Sequence, residues 1–292
     1  NSNMDSLLKM WEGLGYYARV RNFNLACRII MRKYSGEIPN STQLLLELPG
    51  IGPYIAGAMM SIAFNHPVPA IDSNAFRVIS RLNTIGGPIF GRKKRAARVL
   101  SSLVCNQRPG DFNQAIMDLG REVCTSKNPD CKACPLISYC LAAVNNTVDK
   151  YPKRNRISNK PHYKVAAGII WKNNKILVSK RKESGLLGGL WEFPGGKIKN
   201  GETATKCIIR EVKEELGVRV RPRGFLKQIN HSYSHFSITL DAYHCEYLNG
   251  TPQLIACDDY RWITPNKIKS LPFPQANHKL FPHAFKQEFL NV

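Results

Sequence analysis

The spacing of apolar residues changes once along the 292-residue chain, close to Val165. From about residue 4 to 122, apolar residues recur every three or four positions in short runs separated by Gly, Pro or Asn, which predicts a bundle of brief helices. Beyond Val165, the segments VAAGIIW, KILVSKR and FSITLDAYHCEY are rich in β-branched and aromatic residues and predict strands, with a helix at ATKCIIREVKEEL. These patterns belong to different fold classes, so we expect a multidomain protein, all-α first and α/β (α+β) second.

A segment rich in proline and cations separates the two patterns. The stretch NNTVDKYPKRNRISNKPHYK contains a single acid and is typical of an exposed linker between domains. We therefore predict a helical domain over residues 1–145, a basic linker over 146–163 and a second domain over 164–292.

The formal net charge of +21 indicates a polyanionic partner. Self-repulsion of that size is tolerated mainly when nucleic acid binds, although a merely basic, soluble surface is the alternative. The chain opens without a charged-then-apolar leader, and its longest apolar run, AGAMMSIAF, is far too short to span a bilayer. We expect a monomer in the cytoplasm, associated with the nucleoid and without membrane contact.

Four of the nine cysteines share one short polar loop, residues 124–140, with the spacing C-x6-C-x2-C-x5-C. Either these cysteines share a metal or they pair as disulfides. An odd total is unusual for a disulfide framework, and clustered cysteines in a reducing compartment usually bind metal. The candidate ligands are Cys124, Cys131, Cys134 and Cys140.

Two further stretches of the amino-terminal half are candidates for DNA chemistry. Gly50, Ile51 and Gly52 join two helical patterns and can leave backbone N–H groups free for a phosphate, although a glycine pair between helices is more often a tight turn. Asp72 stands just before a predicted helix, where a carboxylate can serve chemistry or can simply cap the helix.

In this order, GLGYYARVRN, LPGIGPYIAGA, IDSNAFRV and the four-cysteine loop resemble the helix-hairpin-helix DNA glycosylases, in particular the adenine DNA glycosylase (MutY) branch, from about residue 7 to the end. The resemblance implies a [4Fe–4S] cluster on the four cysteines, with zinc as the alternative. It also implies that the cluster has a structural role and shapes a loop that turns Lys127 and Lys132 towards phosphates.

The implied reaction is hydrolysis of the bond between adenine and its sugar, opposite 8-oxoguanine or guanine in double-stranded DNA. Asp72 would stabilise the positive charge that develops on the sugar, beside Tyr54 and Asn74. The base must first be flipped out of the duplex, and the resemblance implies that Tyr16 wedges beside the lesion. Arg19 in the same stretch is a further candidate for DNA binding. The related enzymes that also cut the strand carry a lysine where this chain has Tyr54, so we expect a monofunctional glycosylase that leaves an abasic site.

In the family, the acid that protonates adenine is a glutamate on a helix upstream of GLGYYAR, and these 292 residues do not include it. Glu12 lies at a position without a catalytic role in the family, so we do not assign it this part. We expect the sequence to be a fragment of a longer protein; a polypeptide that binds DNA without excising a base is the alternative.

The carboxy-terminal half contains the full Nudix signature in GGKIKNGETATKCIIREVKEELGV. Glu211, Glu214 and Glu215 share one helix face and could hold Mg²⁺, although a solvated acidic face is the alternative. We therefore keep open a second function, Mg²⁺-dependent hydrolysis of oxidised nucleotides such as 8-oxo-dGTP.

The family resemblance assigns this Nudix-type domain to the reading of 8-oxoguanine. HSYSHFSITL matches the family's reading loop, and FPQAN resembles a segment of the hydrolases of oxidised dGTP. Ordinary packing at a strand edge is the alternative for the first stretch. The predicted reading residues are Tyr233, Ser234, His235 and Asn277.

Overall fold

A computed structural model describes residues 2–88, 91–153 and 160–285. Its contacts divide the chain into a helical unit, residues 22–157, and a sheet unit, residues 1–21 with 158–292. The predicted boundaries of the domains and the linker stay predictions, and part of that linker, residues 154–159, lies outside the described residues. Residues 1–21 were predicted to be part of the helical domain, but the contacts group them with the sheet unit.

Short helices carry the first half of the chain, and several begin at residues that favour a helix start. Pro53 and Pro109 occupy first turns, where the missing N–H costs nothing. The helices are α1 (Met4–Met10), α2 (Ala18–Lys33), α3 (Thr42–Leu46), α4 (Pro53–Ala58), α5 (Ser73–Leu82), α6 (Arg92–Leu103), α7 (Pro109–Glu122) and α8 (Leu141–Val144). Helix α4 continues as a π-helical turn over Met59–Ala63.

The helical unit is stabilised by two apolar clusters. One packs α5, α6 and α7 together through residues such as Ile79, Leu100 and Ile116. The other joins α2, α3 and α4 through Ala26, Leu45 and Ala56. Burial of these side chains on one face of each helix explains the three- and four-residue spacing of the sequence.

The sheet unit contains a mixed seven-stranded sheet. Its strands are β1 (His162–Lys172), β2 (Lys175–Arg181), β3 (Trp191–Glu192), β4 (Gly195–Lys197), β5 (Arg219–Ser232), β6 (Ser237–Asn249) and β7 (Cys257–Ile263). The main order is β3-β2-β1-β6-β5, with β4 paired to β1 and β7 to β2. Strands β1 and β6 are parallel, and the other pairs are antiparallel.

Helical segments cover both faces of this sheet. Helix α9 (Ala204–Leu216) is capped by Thr203 at its start and by Gly217, with φ 71°, at its end. Its Ile208 and Val212 pack against Ile170 and Leu177 of the sheet. The opposite face packs against aromatic residues that include Phe273 and Phe281, near α10 (Gln275–His278) and in α11 (Phe281–Ala284). The predicted fold class, an all-α part followed by an α/β part, is confirmed.

The first residues of the chain add a further cluster to the sheet unit. Leu8, Tyr17 and Val20 pack with Leu190, and Trp11 borders them. Leu8 and Leu190 are fully buried. None of the helices in the described parts of the chain is both long and apolar enough to cross a membrane.

Candidate functional site

Asp72 is held by two hydrogen bonds at the start of α5. One carboxylate oxygen accepts from the backbone N–H of Ala75 at 2.7 Å, which makes Asp72 the N-cap of the helix. The other oxygen accepts from Nδ2 of Asn74 at 2.9 Å. The structure therefore brings Asp72 and Asn74 together, and the carboxylate is a cap whose second oxygen has a fixed direction.

Arg77 connects this pair to the cysteine loop within the helical unit. Its guanidinium donates to Oδ1 of Asn74 at 2.9 Å and to the carbonyl oxygen of Cys124 at 2.7 Å, and it also donates to the carbonyl of Gly120. A Cβ at Gly120 would lie 2.8 Å from Cβ of Asn74, so only glycine lets α7 approach so closely. Sequence reasoning missed Arg77, although its place three residues after Asn74 puts both on one helix face.

Tyr54 and the predicted phosphate turn lie at and just before the start of α4. Tyr54 is 41% exposed, and its hydroxyl lies 3.8 Å from Sδ of Met117 in α7, the helix whose Gly120 packs against Asn74. Gly50 has φ 80°, and a Cβ there would lie 2.8 Å from Cβ of Asn22, so the turn requires glycine. Gly52 is the N-cap of α4, and Ile51 is half-buried before it.

All four loop cysteines line one small cavity in the helical unit, together with Arg81 and Val123. Arg81 is 3% exposed, and it donates to Sγ of Cys124 at 3.2 Å and to the carbonyl of Thr125 at 2.7 Å. Burial, followed by the three neighbouring thiols, raises the pKa of Cys131. Lys127 and Lys132 are exposed on the same loop.

The shape of the cysteine cavity bears on the kind of metal that it could hold. Within the described residues, no three His, Cys, Asp or Glu side chains lie close enough together to bind a single metal ion. Four thiols around a common cavity are a donor set that suits a cluster, which is larger than one ion, and a cationic Arg81 offsets the charge of thiolate ligands.

In the sheet unit, Arg210 joins the acids of the Nudix signature. Its guanidinium contacts Glu202 at 2.7 Å, Glu211 at 2.7 Å and Glu214 at 3.0 Å. Hydrogen bonding to Arg210 lowers the pKa of Glu202 to about 2. A Cβ at Gly196 would lie 2.3 Å from Cδ of Glu211, so strand β4 leaves room for the carboxylate only because glycine is there.

Glu215 faces a pocket of the sheet unit that also contains Glu192 and Arg181. Burial, followed by the charges of Glu192 and Glu211, raises the pKa of Glu215 to about 8. Burial likewise raises the pKa of Glu192, which forms an ion pair with Arg181. Sequence reasoning missed Glu192 and Arg181, because neither belongs to the signature.

Aromatic residues form the walls of the same pocket. Tyr233 stacks on Phe236 with ring centroids 4.6 Å apart, and burial raises the pKa of Tyr233 to about 12. Asn277 also lines the pocket and accepts a hydrogen bond from the backbone N–H of Phe193 at 3.3 Å. The structure thus brings Tyr233, Asn277 and Glu215 around one cavity.

Ser234 and His235 are exposed and border a second groove of the sheet unit, which Tyr16 also lines. The rings of Tyr16 and His235 are 6.2 Å apart and nearly perpendicular. The guanidinium of Arg19 lies 4.7 Å from the centre of the Tyr16 ring. The structure therefore brings the predicted wedge together with the predicted reading residues.

Comparison with known proteins places this geometry in a family. Residues 165–283 match the NUDIX domain model. The adenine DNA glycosylase of Buchnera aphidicola subsp. Acyrthosiphon pisum is 33% identical over 244 residues, which cover 82% of this chain and 67% of that protein. The chain belongs to the adenine DNA glycosylase family.

A more distant member of the adenine DNA glycosylase family, from Homo sapiens, is 27% identical over 331 residues, covering 96% of this chain and 61% of that protein. The chain thus spans 61 to 67% of the length of these two relatives. Among solved structures, a chain from a non-covalent endonuclease III–DNA complex has a TM-score of 0.44 at 25% identity, over 50% of this chain and 67% of that chain. The predicted family is confirmed, and the roles of individual site residues stay predictions.

Proposed function

We propose that this adenine DNA glycosylase excises adenine mispaired with 8-oxoguanine or guanine from double-stranded DNA and leaves an abasic site. The paired contacts of Asp72 carry the proposal. One oxygen accepts from Ala75 N–H and the other from Asn74, so the carboxylate has a fixed position before the substrate arrives. A preorganised anion stabilises the sugar cation without reorganising during the reaction.

Tyr54 supports a hydrolytic reaction rather than strand cleavage. A Schiff base with the sugar requires an amine, and a phenol cannot form one. Since Tyr54 is exposed, its ring remains accessible to a flipped-out nucleotide. Water is then the nucleophile, and an abasic sugar is the product.

Lesion recognition is assigned to the groove that contains Tyr16, Ser234 and His235. An exposed aromatic ring can stack beside the mispair, and exposed hydroxyl and imidazole groups can donate to the modified guanine. Arg19 packs on the Tyr16 ring, where its positive charge would attract the DNA backbone. Binding should therefore weaken steeply as salt is added.

The cysteine loop would hold the [4Fe–4S] cluster through Cys124, Cys131, Cys134 and Cys140. Its chemistry in this protein is structural: thiolate ligation fixes the loop that displays Lys127 and Lys132. The contact between Arg77 and the carbonyl of Cys124 then carries the position of the loop to Asn74 and Asp72. Purified protein should be brown and contain iron and sulfide.

Replacement of Asp72 by Asn tests the main proposal in the intact natural protein, because the resemblance places the general acid upstream of this stretch. We expect adenine excision to be lost while binding to DNA with an A:8-oxoguanine mispair remains close to that of the wild type. Asp111→Asn is a matched control, since Asp111 lies exposed near the start of α7. Full excision by the Asp72→Asn protein would refute the assignment.

The pocket of the sheet unit favours a second candidate function, hydrolysis of an oxidised purine nucleoside triphosphate. It combines a stacked aromatic wall with the crowded carboxylates of Glu192 and Glu215. Glu211, Glu214 and Glu215 would be the ligands of Mg²⁺, which would orient a diphosphate. In the described residues these carboxylates do not converge on one ion, and Glu211 and Glu214 are bonded to Arg210, so Mg²⁺ binding would require the side chains to rearrange.

The second candidate is tested with the intact protein, 8-oxo-dGTP and Mg²⁺. Pyrophosphate release that disappears in Glu214→Gln and persists in Asp72→Asn would support it. Absence of release at pH 9, where Glu215 is ionised, would leave this domain as a reader of lesions alone.

A further inference from the structure

Glu12 lies just after α1 and joins this segment to the far end of the sheet unit. Its Oε1 accepts from the backbone N–H of Phe273 at 2.9 Å and from Nε2 of His278 at 2.7 Å. Its Oε2 accepts from Nζ of Lys9 at 2.6 Å. Although burial opposes ionisation, the hydrogen bonds from Lys9 and Phe273 lower the pKa of Glu12 below its usual value. Glu12 is therefore a charged carboxylate that accepts hydrogen bonds from three donors.

The five residues after Glu12 form the wedge turn, residues 13–17. Gly13 and Gly15 have φ of 91° and 69°, and Tyr16 itself has φ 48°. Nε1 of Trp11 donates to the carbonyl of Gly15 at 3.0 Å, and the hydroxyl of Tyr17 accepts from Gly13 N–H at 3.4 Å. Left-handed backbone at a bulky residue persists only where surrounding contacts hold it.

The wedge turn lies against the parts of the sheet unit to which Glu12 is bonded. A Cβ at Gly13 would lie 3.2 Å from Nε2 of Gln275, in the same helix α10 as His278. At the other end of the turn, the ring of Tyr16 meets His235. Glu12 thus anchors one end of the turn to α10, while Tyr16 touches the reading residues at the other end.

We propose that Glu12 is a positioning residue that locks the wedge turn to the lesion-reading residues, so that Tyr16 insertion and recognition of the lesion by Ser234 and His235 are coupled. This inference rests on the proposed function. Glu12 touches no reacting atom, and it acts through the conformation of the turn. Loss of the lock should weaken discrimination between 8-oxoguanine and guanine more than it weakens general DNA binding.

Asp5 provides a matched control because it anchors the same amino-terminal segment away from the turn. Its carboxylate contacts Nζ of Lys180 at 2.6 Å and Nε1 of Trp191 at 3.3 Å. Asp5→Asn therefore weakens attachment of α1 to the sheet unit and leaves the three contacts of Glu12 in place.

The experiment measures binding by the intact natural protein, carrying Asp72→Asn to prevent turnover, to duplexes with A:8-oxoguanine, A:G or only paired bases. A 2-aminopurine next to the lesion reports insertion of the wedge through its fluorescence. Thermal unfolding of each variant confirms that it folds.

With Glu12→Ala, we expect the preference for A:8-oxoguanine over A:G to fall about tenfold and the 2-aminopurine signal to be lost, while paired DNA binds as before. Glu12→Gln should recover most of both effects, because its Oε1 still accepts from Phe273 N–H and His278. Asp5→Asn should retain both. If Glu12→Ala does not fold, His278→Ala, which removes one donor, should show the same loss in smaller measure.

Unchanged preference and fluorescence in Glu12→Ala would overturn the inference, as would an equal loss in Asp5→Asn, which would indicate general loosening of the segment. The parent protein separates this failure from that of the proposed function. If it binds mispaired and paired duplexes equally, the proposed function fails, and the inference fails with it.

Discussion

Replacement of Arg77 by Met should slow adenine excision through Asn74 and leave the fold in place. Arg77 is half-buried and donates to three acceptors, Asn74 Oδ1 and the carbonyls of Cys124 and Gly120. Methionine fills a similar volume and donates nothing. Without the guanidinium, the amide of Asn74 can rotate, and Asp72 loses the donor to its second oxygen.

The expected size follows from these contacts. A hydrogen bond to a charged group contributes about 1.5–3 kcal/mol. If the bond from Asn74 to Asp72 is lost in the transition state, excision should slow by about 10- to 100-fold, since about 1.4 kcal/mol corresponds to a factor of ten. The carbonyl of Gly120 loses this donor, and the carbonyl of Cys124 keeps only the longer contact from Arg81 at 3.4 Å, so the free energy of unfolding should also fall by about 1–3 kcal/mol.

The assay is single-turnover excision from an A:8-oxoguanine duplex by excess intact protein, so that binding does not limit the rate. Arg98→Met is the matched control, because Arg98 is exposed on α6. Iron content, measured in parallel, separates misorientation of Asn74 from collapse of the cysteine loop. A wild-type rate in Arg77→Met with the expected drop in stability would show that Asp72 does not depend on Arg77.

Three further outcomes are expected. Cys131→Ser should abolish the visible absorption of the protein and its iron content, while Cys105→Ser, at an exposed cysteine outside the loop, should retain both. The folded state raises the pKa of Glu215 from 4.5 to about 8, so ionisation of Glu215 lowers the free energy of unfolding as pH rises through this range. In EDTA, the melting temperature should therefore fall less from pH 5 to pH 9 in Glu215→Gln than in the wild type. Gly196→Ala should destabilise the protein in urea unfolding, because its Cβ would overlap Glu211; an unchanged midpoint would contradict this overlap.

Local sequence patterns predicted the regular elements well where burial is one-sided. The helix expected at ATKCIIREVKEEL coincides with α9, and the strand expected at KILVSKR coincides with β2. Strand β5 was not predicted: it contains Pro222 and Gly224, and its pairing with β6 shifts register near them. Its alternation of more and less exposed residues is interrupted at Leu226 and Lys227. Pairing with β6, rather than intrinsic propensity, stabilises it.

Motifs in the sequence predicted the site residues, but no motif could predict the residues that orient them. Arg77 reaches Cys124, 47 positions away, and Glu12 reaches His278, 266 positions away. A pattern of neighbouring residues contains no information on such pairs. The role of Tyr54 at the sugar likewise came from its motif alone, and the contact of its hydroxyl with Sδ of Met117 leaves that role a prediction.

The cluster of Leu8, Tyr17 and Val20 on Leu190 has a practical consequence for dissecting the polypeptide. A fragment that begins near residue 160 would lose the side chains that cover Leu190, and Lys180 would lose its ion pair with Asp5. Such a fragment should self-associate through the exposed apolar surface. Assays of hydrolysis of free nucleotides therefore require a protein that retains α1.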